Sequence, residues 1–223
     1  MHLCSPALPI GAFAYSQGLE PATSAGWVRD EESARLWITG LLESQLATLD
    51  LPILARLYGA WGEGPGLSDA APHPPAAVAT WSAFLLASRA SAELQTEERH
   101  LGAGLARVLA ELGLPEATAC ATRPELTYAA MFALAARRFE VPLPAAAQGF
   151  AFTWVEMQTS AAVRLVPLGQ SAGQRILAAA AAKIPAVVTR ALALGADEIG
   201  AASPRLGVAS ARHETQYSRL FRS

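Results

Sequence analysis

The sequence has few cysteines and few charged residues. Its 223 residues include two cysteines, Cys4 and Cys120, which lie far apart and show no CxxC spacing. This pattern argues against a disulfide framework or a zinc knuckle and is typical of reduced thiols. Charged residues make up 16% of the chain and hydrophobic residues 52%. Such a composition is typical of a folded globular chain and not of intrinsic disorder.

The chain also has almost no lysine. Lys183 is the single one, and 17 basic against 19 acidic residues give a formal net charge of -2. No strongly basic face follows from this balance, so nucleic acid is not an expected partner. A nucleotide-binding P-loop needs the pattern GxxxxGK followed by Ser or Thr. Because Lys183 follows a run of alanines and precedes Ile184, nucleotide binding through a P-loop is excluded.

The motifs of hydrolytic enzymes are incomplete in this sequence. A zinc protease helix carries histidines four residues apart so that both rings face the metal, but Tyr217 follows His213 at that spacing. A serine hydrolase needs GxSxG between a strand and a helix. The segment around Ser16 lacks the first glycine and follows no predicted strand. We therefore expect no enzyme activity, and a helical hydrolase is the alternative in the enzyme class.

The histidines predict no metal site. His2 and Cys4 could share an ion, but two ligands near a chain end bind weakly. His73 lies in a loop rich in glycine and proline and is expected to be solvated. His100 follows the charged run 97–99, which is typical of a solvated, salt-bridged helix face.

The most apolar stretch, 176–194, is interrupted by Lys183, Pro185 and Arg190. Charges at mid-span are costly in a bilayer, so this stretch is predicted to be a pair of buried helices. The first residues show no cationic region followed by a long apolar run, and we predict no signal peptide. A cytoplasmic protein without a membrane partner is expected.

Apolar residues recur at helical spacing along most of the chain, which predicts an all-α fold. No repeat is visible, and no linker separates two cores. We therefore predict one domain over residues 1–223, a bundle of about eight to ten helices with an extended C-terminal tail at about 203–223. Helices are predicted over 13–25, from 31 to before 50, and over 51–61, 76–92, 96–112, 127–140, 144–163 and 171–194, the last bent or split at Pro185. The loops are 62–75 and 114–124.

Residues at the predicted helix ends have the expected capping chemistry. Asp30 and Asp50 are predicted as N-caps, and Pro52 follows in a first helical turn. Gly26 and Gly113 are predicted to end helices, since glycine adopts the left-handed conformation without strain. Trp37 shares a helix face with several leucines and is predicted to lie in the core.

Three segments do not fit a simple bundle. The first, 5–20, places two prolines and a glycine before a helix and Gly18 inside it. Glycine in a helix costs about 1 kcal/mol relative to alanine, so either another backbone approaches closely or Gly18 is a tolerated weak spot in a surface helix. The second, 164–170, breaks two apolar helices with a proline and a glycine. The third, 203–223, ends with residues 220–221 between arginines, which indicates either a frayed end or docking on a partner.

In their order along the chain, these segments resemble the UreF family of urease accessory proteins. The resemblance rests on PALPIGAF..SQGLE at 6–20, RLVPLGQ at 164–170 and HETQYSRLFRS at 213–223. Residues 60–142 add only a compatible helical pattern. The resemblance implies an all-α protein that forms a homodimer and has no catalytic triad of its own.

The resemblance also implies partners. Members of this family bind a scaffold protein called UreD or UreH, and that pair recruits the GTPase UreG. The assembly delivers nickel to apo-urease, where a lysine carbamate bridges the metal ions. A non-catalytic adaptor without a cofactor of its own is thus implied, because the nickel chemistry belongs to the complex. A bundle that holds an apolar ligand is the alternative in the binding class, although it leaves the polar tail unexplained.

By the same resemblance, two groups of residues are candidate partner-binding sites. The first group is expected at the dimer and GTPase side and consists of Phe13, Tyr15, Gln17, Gly18 and Glu20, with Pro6, Pro9 and Gly11 setting their backbone. The second group is expected to bind the scaffold and consists of Arg212, His213, Glu214, Tyr217, Arg219, Leu220 and Phe221. Burial of Leu220 and Phe221 on a partner would contribute roughly 1.5 to 3 kcal/mol each, so loss of 205–223 is expected to impair recognition more than folding.

Overall fold

The computed structural model describes residues 2–5, 7–62, 74–200 and 203–223, and these ranges contain helices and no strand. The all-α class is therefore confirmed. Pro6, and most of the predicted 62–75 loop with His73, lie outside the described residues. Within them, nine α-helices have ten residues or more and two have six. Their bounds are α1 Leu19–Ser24, α2 Glu31–Leu41, α3 Leu51–Ala60, α4 Ala76–Ala87, α5 Ala92–Glu111, α6 Pro115–Cys120, α7 Tyr128–Arg138, α8 Leu143–Leu165, α9 Gln170–Ala181, α10 Ile184–Ala193 and α11 Pro204–His213.

The predicted start of α2 is confirmed, but its predicted end is wrong. The Asp30 carboxylate accepts a hydrogen bond from the Ser33 N–H at 2.8 Å and caps the helix. The helix then continues through a π-helical segment, Leu42–Asp50, directly into α3. Asp50 is therefore no N-cap. Its backbone is helical, and its side chain turns inward to pair with Arg89.

Pro52 fits inside this continuous helix because a distant residue replaces the hydrogen bond that proline cannot donate. The carbonyl four residues before it, that of Thr48, loses its helical donor. It accepts instead from the Gly200 N–H at 2.9 Å. The freed carbonyl thus attaches the segment after α10 to the π-helical segment.

The helix predicted over 13–25 is shorter than expected. Residues Ala12–Ala14 form a single 3-10 turn, and α1 begins only after Gly18. Gln17 and Gly18 have φ values of 50° and 78°, which a continuous right-handed helix cannot accommodate. Gly26 ends the segment in the left-handed conformation, as predicted.

Two helices lie where the sequence predicted none. α6 occupies part of the predicted 114–124 loop, and α11 occupies the first half of the expected extended tail. Both begin with a proline, Pro115 and Pro204. Proline breaks a helix that would continue through it, but it is well tolerated in the first turn, where a backbone N–H has no acceptor within the helix.

The core is centred on α7, whose residues from Tyr128 to Ala136 are all buried. α5 and the segment before α7 approach closely because Gly102 carries no side chain. A Cβ at this position would lie 2.4 Å from the Leu126 carbonyl oxygen. Trp37 is buried in the same core, as predicted.

The apolar stretch near the end of the chain forms two helices, and the predicted break at Pro185 is confirmed. Residues 170–193 have a mean hydropathy of 1.6 in their most apolar window, enough by length and composition to cross a membrane. They are weak evidence for a span, because Lys183 separates two helices that both pack on α8. About 33% of the window is buried, so the prediction of buried helices holds only in part.

Candidate partner interface

The two ends of the chain lie side by side. The Ser16 N–H donates to the Ser223 carbonyl oxygen at 2.8 Å, and the Arg222 N–H donates to the Ala14 carbonyl oxygen at 2.8 Å. The Ser16 hydroxyl also donates to the Ser223 carbonyl oxygen. Two of the three unusual segments, 5–20 and 203–223, therefore form one structural unit.

Arg164 brings the third segment, 164–170, into the same unit. Its guanidinium lies 4.8 Å from the centre of the Phe221 ring, a cation–π distance. It also donates to the Phe13 carbonyl oxygen at 3.4 Å. Each of these three segments is unusual in the sequence, and in the structure they contact one another.

Glu20 is the group that holds the tail in place. Its buried carboxylate accepts hydrogen bonds from the backbone N–H groups of Leu220 at 2.7 Å and Phe221 at 2.8 Å. The Gln216 side-chain amide donates to the same carboxylate at 3.3 Å. Hydrogen bonds to an ionised acceptor are about twice as strong as neutral ones. Glu20 therefore holds residues 216–221 in a fixed position against α1.

A second carboxylate, that of Glu93 in α5, holds the other edge of the tail. The fully buried His213 ring contacts Glu93 through Nδ1 at 2.5 Å and Glu20 through Nε2 at 3.4 Å. Arg219 donates to Glu93 at 2.6 Å and to the Glu214 carbonyl oxygen at 2.7 Å. His213 and Arg219 therefore connect the tail to α1 and α5.

Gly18 permits the close packing of α1 and α11. A Cβ on Gly18 would lie 3.0 Å from the Leu206 Cδ1 atom and 3.3 Å from the Ala209 Cβ atom. The predicted close approach of another backbone is confirmed only in part, because the nearest atoms are in side chains and the Leu206 carbonyl oxygen would lie 3.8 Å from this Cβ. Gly18 also precedes α1 and does not interrupt it.

Glu97 lies beneath this unit and was missed by the sequence analysis. The prediction that residues 97–99 form a solvated face is wrong, since Glu97 is only 2% exposed. It accepts hydrogen bonds from Gln17 at 2.6 Å and from the Ser223 hydroxyl at 2.8 Å. Burial raises its pKa to about 7, and these hydrogen bonds oppose the rise. Glu97 thus contacts both the N-terminal segment and the tail.

The neighbouring Glu98 belongs to a buried ion cluster. The Arg89 guanidinium pairs with both Glu98 and Asp50. Burial alone would lower the pKa of Arg89, but the two carboxylates hold it above its ordinary value. Burial likewise raises the pKa of Glu98, and Arg89 opposes that rise. Helical periodicity could have indicated that these two acids are buried, because Glu97 and Glu98 share a helix face with Leu94, Leu101 and Leu105.

His100 lies on the surface, but the predicted salt bridge is not its contact. Its Nδ1 atom is 3.0 Å from the Tyr15 hydroxyl oxygen. Burial raises the pKa of Tyr15, and a hydrogen bond from Arg222 opposes the rise. Tyr15 therefore contacts α5 and the tail and offers little surface of its own.

The predicted partner-binding residues divide into buried and accessible ones. Buried are Tyr15, Gly18, Glu20, His213 and Phe221, while Gln17 is half-buried. Exposed are Phe13, Arg212, Glu214, Tyr217, Arg219 and Leu220. Phe221 packs inside its own chain, so the expectation that it needs a partner for burial is wrong. Tyr217 is fully exposed and Leu220 is 56% exposed. That any of these residues binds a partner stays a prediction.

Within the described ranges, no three His, Cys, Asp or Glu side chains are grouped so that they could hold a metal ion. The His2 side chain, proposed as a weak ligand beside Cys4, lies outside the described residues. Cys120 is buried, and burial raises the pKa of its thiol to about 11. A thiol of this kind is a poor nucleophile near neutral pH.

Comparison with known proteins supports the resemblance to the UreF family. A sequence model of the UreF family matches residues 28–181. The urease accessory protein UreF of Alkalilimnicola ehrlichii is 46% identical over 99% of this chain and 93% of its own length. The proteins of the same name from Teredinibacter turnerae and Chromohalobacter salexigens are 45% and 47% identical, each over 100% of this chain and over 96% and 93% of their own lengths. With the family match and this identity along nearly the whole chain, the protein belongs to the UreF family of urease accessory proteins, which are not enzymes.

Proposed function

We propose that this chain is an adaptor in urease maturation, which binds the UreD/UreH scaffold and recruits or regulates the GTPase UreG while nickel enters apo-urease. Membership of an accessory family supports this role. The chain would supply surfaces and no cofactor of its own, and the nickel chemistry would belong to its partners. Such work is expected to take place in the cytoplasm.

The observation that carries the proposal is the way the tail is held. Glu20 and Glu93 fix it at several points, Phe221 anchors it inside, and Tyr217 and Leu220 project outward. Tyrosine is enriched among the interface residues that contribute most of the binding energy. A segment that is already ordered costs less conformational entropy when it binds. This arrangement supports a preformed docking surface for the scaffold.

We therefore assign different roles to the two predicted groups of residues. Scaffold binding falls to the exposed part of the tail, which consists of Arg212, Glu214, Tyr217, Arg219 and Leu220. Phe13 is the exposed member of the N-terminal group and is assigned to the dimer and GTPase side. The remaining residues position these, as Gly18 and His213 do through packing.

The alternative functions have less support. A hydrolase does not fit a family of accessory proteins. An apolar-ligand bundle needs an enclosed, mostly apolar cavity of several hundred cubic ångströms. The interior cavity beside Glu97 has about 40 Å³, and its mostly apolar lining includes the charged side chains of Asp50 and Arg89. Such a cavity suits at most a few water molecules.

Pull-down from urease-expressing cells tests the proposal. The Tyr217→Ala/Leu220→Ala double variant should lose the scaffold and the GTPase, because two exposed contact residues are shortened. Leu112→Ala is the matched control, since Leu112 is 59% exposed at the end of α5, outside the proposed surface. Scaffold retention by the double variant, with circular dichroism unchanged, would rule out this surface.

The proposed homodimer has a separate test. Light scattering of the purified chain, alone and with its scaffold, should give the mass of an assembly with two copies of this chain. A mass with one copy under both conditions would contradict the dimer. The scaffold interface would still stand, because it does not depend on the dimer.

A further inference from the structure

An open pocket of about 260 Å³ lies where the 10–15 segment, α5 and the tail meet. Its polar lining consists of Tyr15, His100, Arg107 and Arg222, and the rest is backbone and small or apolar side chains. None of the residues proposed above as exposed contacts for the scaffold lines this pocket.

The pocket contains two arginines that form no ion pair in the described part of the chain. Among the residues that the structure describes, neither Arg107 nor Arg222 forms an ion pair with a carboxylate. Seven of the other fourteen arginines do form an ion pair there, as Arg219 does with Glu93 and Arg175 with Glu31.

The walls of the pocket are fixed by backbone contacts. His100 and Arg107 are seven residues apart in α5 and therefore share one helix face. The 10–14 segment packs tightly on that helix, because a Cβ on Gly104 would lie 3.2 Å from the Ile10 Cα atom. The Arg222 N–H donates to the Ala14 carbonyl oxygen at 2.8 Å, which places Arg222 at the rim. The pocket is thus formed by three separate segments, of which α5 supplies Arg107 and the tail supplies Arg222.

Polar groups that could orient a ligand also face this region. The Tyr15 hydroxyl lies 3.0 Å from His100 and beside Arg222. Guanidinium groups donate to oxyanions in a fork geometry, and a tyrosine hydroxyl adds a further donor. Glu97 acts electrostatically on Tyr15, but its carboxylate is buried and accepts hydrogen bonds from Gln17 and Ser223.

We propose that this pocket binds a small oxyanion of the phosphate class, held by the guanidinium groups of Arg107 and Arg222 with Tyr15 and His100 at its side. A doubly charged anion matches two arginines better than a single carboxylate does. The site goes beyond the adaptor role, because it gives the chain a small ligand of its own. The anion could be free phosphate or the phosphoryl group of a nucleotide.

Calorimetry with inorganic phosphate tests this proposal, with chloride used to keep the ionic strength constant. The wild-type chain should show saturable binding. Arg107→Gln and Arg222→Gln should each weaken it by about tenfold or more, because each removes a charge-assisted contact. Arg205→Gln is the matched control: Arg205 is exposed, forms no ion pair among the described residues and lies outside the pocket. It should leave the affinity unchanged.

GTP identifies the source of the anion, and acetate tests whether the pocket prefers the phosphate class. If GTP binds no more tightly than phosphate, the ligand is the free anion. If GTP binds at least about tenfold more tightly and both arginine variants weaken it, the ligand is a phosphoryl group. Absence of saturable phosphate binding, equal weakening by Arg205→Gln, or acetate binding as tight as phosphate would each overturn the proposal. Arg107 is exposed on a helix surface, so its variant should fold, as circular dichroism can verify.

Discussion

Replacement of Glu97 by glutamine should stabilise the protein above neutral pH and reduce the pH dependence of its free energy of unfolding. Glu97 is buried, and burial raises its pKa from 4.5 to about 7. Glutamine has nearly the same shape and carries no charge. Its amide can accept a hydrogen bond from Gln17 and donate one to the Ser223 hydroxyl, so the local contacts can be kept.

The sign of the effect follows from proton binding. Because the pKa of Glu97 is higher in the folded state, the folded protein holds a proton that the unfolded chain has already lost between about pH 4.5 and pH 7. The free energy of unfolding therefore falls as pH rises through this window and is level above it. A shift of this size corresponds to about 3 kcal/mol at pH 8, at about 1.4 kcal/mol for each pKa unit. The glutamine variant has no carboxyl proton at this position, so this fall in the free energy of unfolding should be absent.

Urea unfolding followed by tryptophan fluorescence measures the effect across about pH 5 to pH 8. The variant and the wild type should have similar stability at the acidic end and diverge as pH rises. Glu111→Gln is the control, because Glu111 lies exposed on the same helix. A constant difference between wild type and Glu97→Gln at every pH would refute the reasoning, as would the same divergence in Glu111→Gln.

Two further predictions concern packing and buried charge, and chemical denaturation measures both. Gly18→Ala should lower the free energy of unfolding by about 1 to 3 kcal/mol, because alanine is strained at this positive φ and its Cβ would contact α11. The control Gly40→Ala lies in α2 with open space around it and should raise the free energy of unfolding by about 0.5 to 1 kcal/mol. A neutral Gly18→Ala would contradict this account. Arg89→Met should cost about 3 to 5 kcal/mol, since it leaves two buried carboxylates without a countercharge. Arg175→Gln removes an exposed pair and should change little; equal costs would contradict the contrast.

Local signals in the sequence predicted the helix ends well where one residue decides the geometry. Asp30 caps α2 through its own side chain, and Gly26 and Gly113 adopt the left-handed backbone that only glycine takes without strain. Each of these outcomes depends on residues within one turn. The all-α class follows from apolar spacing that extends over many turns, which is why it could be predicted.

Features that depend on distant partners could not be predicted from local pattern. Asp50 has the chemistry of an N-cap, but Arg89 draws its side chain inward, and the Thr48 carbonyl that Pro52 frees is taken up by Gly200. The same limit applies to Glu97, whose partners Gln17 and Ser223 lie 80 and 126 residues away. Only the helical spacing of Glu97 relative to leucines carried information about its burial.

The candidate site was predicted in part. The three unusual segments were recognised from their prolines, glycines and terminal arginines, but nothing in their composition showed that they meet. Phe221 illustrates the consequence: an apolar residue between arginines suggested a partner, and it packs beneath Arg164 of its own chain. Which apolar residues of a tail stay exposed depends on the fold of the rest of the chain.

The nickel content of urease tests the central claim most directly. Cells that make urease and its accessory proteins, with this chain as their only UreF, would carry either the wild type, Tyr217→Ala/Leu220→Ala or Leu112→Ala. Urease purified from each strain would be assayed for nickel by atomic absorption. The account predicts full nickel with the wild type and Leu112→Ala, and urease made in normal amounts but lacking most of its nickel with the double variant. Full nickel in urease from the double-variant strain would contradict the account.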